Sequence, residues 1–249
     1  MKKLTRSPVM TGILFILAVV LLFAGTVGGT QAALNAPSED YISAFDLKHI
    51  GITLYENGDV VSSRNYNDEA ESLGTLKFGV TASDFLVGKT YPMALQVKNT
   101  GEIPTYIRLI VRKYWTNTTE AKITDSNYNV EFIELGYTES LSNSSNAGNW
   151  VKDSTTRSAE CEVYYYTEIV PSLGTVDFTE YNTLRISPDV TKLYVKNTDG
   201  KYVYAYDGLG FVVEVEVDAI QTHNAIDAIT SAWGQTAANI MKSAGVSND

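Results

Sequence analysis

The chain has 249 residues, 44% of them apolar, with 29 Asp and Glu against 19 Lys and Arg and a formal net charge of −10. A surface of that sign repels phosphate backbones and anionic lipid, which argues against nucleic acid and membrane surfaces as partners. With Cys161 the only cysteine, no intrachain disulfide can form, and stability must come from packing.

The first segment carries Lys2, Lys3 and Arg6, then runs without charge from Val9 to Val27 before small residues take over. That is the order of a secretory leader. Gly28-Gly29-Thr30-Gln31-Ala32 places small side chains where a signal peptidase pocket admits them, so cleavage is predicted between Ala32 and Ala33. An uncleaved anchor is the alternative, because the apolar run approaches the ~20 residues that span a bilayer; Gly and Thr near its end disfavour a permanent helix. The predicted mature form, residues 33–249, lies outside the membrane, secreted to the extracellular matrix or cell surface. It keeps 16 Lys and Arg against 29 Asp and Glu, a net charge of −13. No cysteine follows the leader to take a lipid. A single domain of this length buries roughly 70% of the surface its unfolded chain exposes.

Residues 33–43 read as an N-terminal arm, with Pro37 and too few large apolar side chains to fold alone. An arm of this kind can be donated as a strand to the exposed sheet edge of a neighbouring copy. Ile42, Ala44 and Phe45 are its candidate anchors.

From there alternation at period two dominates. Strands are predicted at 50–56, 76–78, 91–98 and, with Ile107, Leu109 and Val111 on one face, around 107–111. Further strands follow at 130–135, 160–169, 183–186, 193–196 and 202–206. The clearest alternation comes last: Phe211, Val213, Val215, Val217 and Ala219 point one way, Glu214, Glu216 and Asp218 the other, predicting one packed and one wetted face. Asn57-Gly58 and Asp199-Gly200 are hairpin turns by their tolerance of positive φ. The Ser- and Asn-rich stretch 140–149 reads as a loop. A helix is predicted over Ala225–Trp233, capped by Asn224, and a second, fraying one over 236–244, so that 224–244 forms a C-terminal helical segment. The pattern predicts a mainly β fold, an antiparallel two-sheet sandwich with a short C-terminal helix.

Catalytic sets are hard to assemble from these residues. His49 and His223 are the only histidines and belong to no zinc-ligand spacing, and no Gly-x-Ser-x-Gly elbow occurs. Gly88-Lys89-Thr90 ends like a phosphate loop, but Ser83 stands where its first glycine belongs. The carboxylates of Glu214, Glu216 and Asp218 suit Ca²⁺ or sugar chemistry only if oxygens converge; the simpler reading pairs them with Arg108 and Arg112 on a neighbouring strand. No catalytic residue, metal ligand or cofactor is expected, with Ca²⁺ the one ion the acidic surface admits. Tyr164, Tyr165 and Tyr166 are candidate glycan-facing aromatics; the competing reading places them in the core and its rims.

Three segments taken together resemble a known family. Leu86-Val87-Gly88-Lys89-Thr90-Tyr91, then Val97-Lys98-Asn99-Thr100-Gly101, then Tyr106-Ile107-Arg108 is similar to the core of the TasA and camelysin family of Gram-positive bacteria. Trp150 with Tyr164–Tyr166 and Leu173-Gly174 resembles its tyrosine strand and turn, and Val215-x-Val217-x-Ala219-Ile220-Gln221 followed by Ala232-Trp233 its closing pattern. The resemblance implies a jelly-roll sandwich, export through a dedicated signal peptidase, and assembly into biofilm-matrix fibres. Ala33-Leu34-Asn35-Ala36-Pro37 stands where that family has an aromatic and acidic stretch. Camelysins are described as metalloproteases, an activity for which this chain lacks a ligand set. The expectation is a noncatalytic extracellular structural subunit whose partner is itself; the alternative is a glycan- or peptide-binding module.

Overall fold

A computed structural model describes residues 12–13, 15–18, 48–65, 73–79, 84–136, 149–156 and 158–248. The chain divides into two units, Met1–Asp46 and Leu47–Asp249. In the first, the described residues are helical and expose Ile13, Phe15, Ile16 and Leu17. Among the described residues no helix is long and apolar enough to cross a membrane. The predicted cleavage site Ala32–Ala33 and the arm residues Ile42, Ala44 and Phe45 lie outside the described residues.

The second unit is mainly β. Its strands are β1 (Gly51–Glu56), β2 (Asp59–Asn65), β3 (Leu73–Thr75), β4 (Thr90–Pro92), β5 (Leu95–Asn99), β6 (Thr105–Thr116) and β7 (Ile133–Leu135). They continue as β8 (Trp150–Lys152), β9 (Cys161–Val170), β10 (Thr175–Asp177), β11 (Thr183–Ile186), β12 (Tyr194–Lys196), β13 (Tyr202–Tyr204) and β14 (Gly210–Gln221). Helices α1 (Ala225–Trp233) and α2 (Gln235–Ser243) close the chain. All pairings are antiparallel, in sheets ordered β10-β5-β1-β2, β4-β11-β7 and β3-β14-β6-β9-β8, with β12-β13 as a separate ribbon.

One core lies between the five-stranded sheet and the other two. Ile107, Leu109, Val111, Val213, Val215 and Val217 meet Ile52, Leu54, Leu95 and Val97 of the four-stranded sheet and Ile133, Leu184 and Ile186 of the three-stranded one. This sandwich-like packing follows from the alternation read in β6 and β14. The other face of the five-stranded sheet is not simply wetted. Tyr106, Tyr165 and Ile220 form a second core there with Ile226, Ile229, Ala237, Ala238 and Met241 of the helices. Three buried residues on one face of each nine-residue helix make α2 a packed element rather than a fraying one.

Several element boundaries differ from the sequence expectation for identifiable reasons. The run 91–98 is two strands in different sheets: Met93 donates to Asn182 O (2.8 Å) while Ala94 O accepts from Asn57 N (2.8 Å), so the chain changes sheets between them. The expected strand at 76–78 is displaced to β3, because Phe78 takes a φ of 55° that ends extended structure. Glu56, 5% exposed, holds that bend by accepting from the amides of Lys77 (2.7 Å) and Phe78 (2.8 Å). Residues Val130–Phe132 form a 3-10 turn, with Asn129 Oδ1 accepting from Glu131 N. Asn57 and Gly58 adopt φ of 52° and 92°, as the β1–β2 hairpin requires. Asn224 does precede α1, but in a left-handed conformation without a side-chain cap. The orphan amide of Ile226 is satisfied instead by Asn248 Oδ1 (2.8 Å), whose Nδ2 also donates to Asp227 (3.1 Å).

Candidate functional site

The carboxylate row of β14 faces β6, and each member has a partner there. Asp218 lies opposite Arg108 and accepts from its Nε at 2.9 Å; Glu216 accepts from Arg112 Nη1 (2.7 Å) and Glu214 from the Tyr114 hydroxyl (2.7 Å). The Arg108 guanidinium also lies 5.2 Å from the centre of the Trp233 ring, so α1 roofs this end of the row. The cross-strand pairing read from the sequence is what the structure shows. Among the described residues no three His, Cys, Asp or Glu side chains group to hold a metal ion.

The three consecutive tyrosines do not form an exposed aromatic row. Tyr164 is 2% exposed and faces the main core, while Tyr165, 3% exposed, faces the helices. Tyr166 is half-buried, with its ring 5.1 Å from Trp150. Successive residues of a strand point to opposite faces, and here both faces are covered. The glycan-facing reading of Tyr164–Tyr166 is therefore corrected to a core role. Tyr164 donates to Glu162 (2.7 Å), and its oxygen is 2.5 Å from that of Tyr181. Gly88 is likewise occupied structurally, its amide donating to Ile186 O (2.9 Å), and Lys89 lies over the Tyr91 ring.

Burial, and next the hydrogen bond to Glu162, pushes the Tyr164 phenol far above its ordinary range. Burial followed by the Asp153 charge raises Tyr165 to about 12, and burial with the Glu214 hydrogen bond raises Tyr114 to about 12. A phenol raised in the folded state binds its proton more tightly there than in the unfolded chain. Its stabilisation is complete below the ordinary value of 10 and is lost as pH rises through 12. Lys113, lowered mainly by burial, acts in the opposite sense, adding stability as pH rises toward 10.5. Above that pH only the tyrosine effect grows. Urea melts are expected to lose about 1 kcal/mol from Tyr165 alone by about pH 11, in step with tyrosinate absorbance. Stability that stays flat to pH 12 would contradict these buried phenols.

An apolar cleft of about 580 Å³ is lined by Phe78, Phe85, Trp115, Val190, Tyr206 and Phe211. Its rings interlock, with Phe85–Phe211 centroids 5.0 Å apart and Trp115–Tyr206 4.9 Å apart. Its volume is in the range of ligand pockets. The sequence reading placed Phe211 on the packed face of β14 but gave no sign of the cleft, because its walls come from separated segments joined only by the sheet changes. The chain was compared with protein families, with curated proteins and with solved structures, and none of them matches it.

Proposed function

We propose that this protein is a noncatalytic structural subunit of the cell surface or extracellular matrix, exported by its leader and assembling with itself. The observation that carries this reading is that its concentrated polar chemistry is spent on the fold. The β14 carboxylates pair with β6, and Tyr164 and Tyr165 are divided between two cores. A twelve-residue central strand pairing along its whole length with β6 suits a part that must resist pulling rather than a site that must open to substrate. The arm 33–43, with Ile42, Ala44 and Phe45 as its anchors, is the segment we assign to strand donation. Because arm and acceptor edge are different surfaces, such contacts propagate into a filament.

Residues 33–249 should form fibres under negative-stain microscopy, with or without Ca²⁺. Removing residues 33–45 should leave the melting temperature unchanged and abolish the fibres. Fibres that persist without the arm, or a full-length mature chain that never forms any, would defeat this assignment.

A further inference from the structure

The ribbon β12–β13 pairs with none of the three larger sheets, and all six of its residues are exposed. Tyr194 lies directly opposite Tyr204, and Lys196 opposite Tyr202. The Tyr194 and Tyr204 ring centroids are 5.0 Å apart with only 32° between the ring planes, and each side chain is more than half exposed. A hydrogen bond links the two hydroxyls, so the oxygen-bearing edges of the rings already face each other. Two other tyrosine pairs bring their rings near one another, but differently. Tyr128–Tyr206 and Tyr164–Tyr181 meet edge to face, at 89° and 87°, with every partner half-buried or buried. The Tyr202 ring is engaged instead by the Lys196 ammonium, 6.0 Å from its centre.

Two phenols can be joined covalently when the ring carbons beside their oxygens meet and a one-electron oxidant reaches both. Tyr194 and Tyr204 satisfy both conditions. Their planes are close to parallel, their hydroxyls adjoin, and exposed side chains turn readily between rotamers to close the remaining gap. An edge-to-face pair in a packed core, such as Tyr164–Tyr181, cannot turn without displacing its neighbours. The ribbon also has a use for such a bond. A two-stranded hairpin with both faces in water is marginally stable alone, and with Cys161 the only cysteine no disulfide within the chain can staple it. A covalent tie between its strands removes the loop-closure cost of re-forming it.

We propose that Tyr194 and Tyr204 form an oxidative cross-linking site, coupled to dityrosine within one chain by a haem peroxidase using hydrogen peroxide. Each phenol gives up one electron and its hydroxyl proton. The two radicals join through the ring carbons ortho to oxygen, and the hydrogens of those carbons pass to the phenolic oxygens as the rings become aromatic again. The pair loses two electrons and two protons in all, and these reduce one hydrogen peroxide to two waters. The bond is made and read within a single chain, so it stands or falls independently of fibre formation.

The test treats residues 33–249, which contain both cores, with hydrogen peroxide and a haem peroxidase at about 1–50 µM protein. Groups joined by a short stretch of chain meet at effective concentrations of about millimolar order, so coupling within the chain should lead, with a yield per chain that does not vary with protein concentration. The intact mass should fall by two hydrogens as dityrosine fluorescence appears. After trypsin, Leu193–Lys196 should be found joined to the peptide that begins at Tyr202. Y194F and Y204F should each lower the fluorescence about tenfold or more with an unchanged melting temperature, because both side chains are exposed, whereas Y202F should behave as the parent. A pair that serves only as cross-strand packing would give no such preference. A parent that forms no dityrosine, coupling that survives both variants or maps to other tyrosines, or cross-linked dimers as the main product would overturn the proposal.

Discussion

Val215→Asp is expected to cost about 4 kcal/mol or more out of a total stability of about 5–15. Val215 is fully buried, opposite Val111 on one side and Gly74 on the other, in the middle of the five-stranded sheet. The substitution deletes apolar contacts and places a carboxylate in the core, where the cation of that face, Lys113 opposite Val213, already donates to Ile133 O (2.7 Å); the arginines of β6 project from the other side of the sheet, toward Glu216 and Asp218. Glu216→Gln, one residue away, is the control. Glu216 and Arg112 are 28% and 37% exposed, and a pair so solvated is worth about 0.5 kcal/mol, at most about 1. Guanidinium melts followed by circular dichroism would separate the two. Equal losses would mean that the faces of β14 are reversed.

Asn99→Leu is expected to cost about 3 kcal/mol, lowering the melting temperature by roughly 6–12 °C in a domain of this size. Asn99 is fully buried at the end of β5, and its side chain ties the turn 101–103 to the end of β9. Its Nδ2 donates to Ile103 O (2.8 Å) and Val170 O (3.1 Å), and its Oδ1 accepts from Gly101 N (2.9 Å). Leucine fills the space but leaves those carbonyls unpaired in low dielectric, and an unmade buried bond costs more than a made one contributes. The same joint explains Gly101. Its amide also approaches Gly51 O (3.2 Å), and a Cβ there would lie 2.9 Å from the carbonyl carbon of Ile50. A loss below about 1 kcal/mol would show that water or a shifted backbone replaces the Asn99 bonds.

Asn99 and Gly101 were visible in the sequence as a pattern, but not as a clamp joining β5, β6 and β9. That distinction runs through the whole molecule. The alternation of β14 and β6 was legible because each strand has one face in a continuous core, and burial there imposes period two on neighbouring residues. The Asn57-Gly58 turn and the bounds of α1 were legible for a similar reason: positive φ and helical spacing are demands met within a few residues. The pairing of Asp218 with Arg108 could also be read, since both lie on long strands with a clear polar face.

What the alternation could not reveal is what covers the second face. Tyr165 and Tyr106 stand at positions a wetted face would also tolerate, and only the docking of α1 and α2 buries them. The cap of α1 is supplied by Asn248, 22 residues beyond the Ile226 amide it serves, where no local rule reaches. The aromatic cleft likewise depends on Met93 and Ala94 carrying the chain between sheets and on Glu56 holding the bend at Phe78. Local periodicity records whether a side chain is buried; which segments bury it is settled by long-range register, through bonds between residues far apart in the chain.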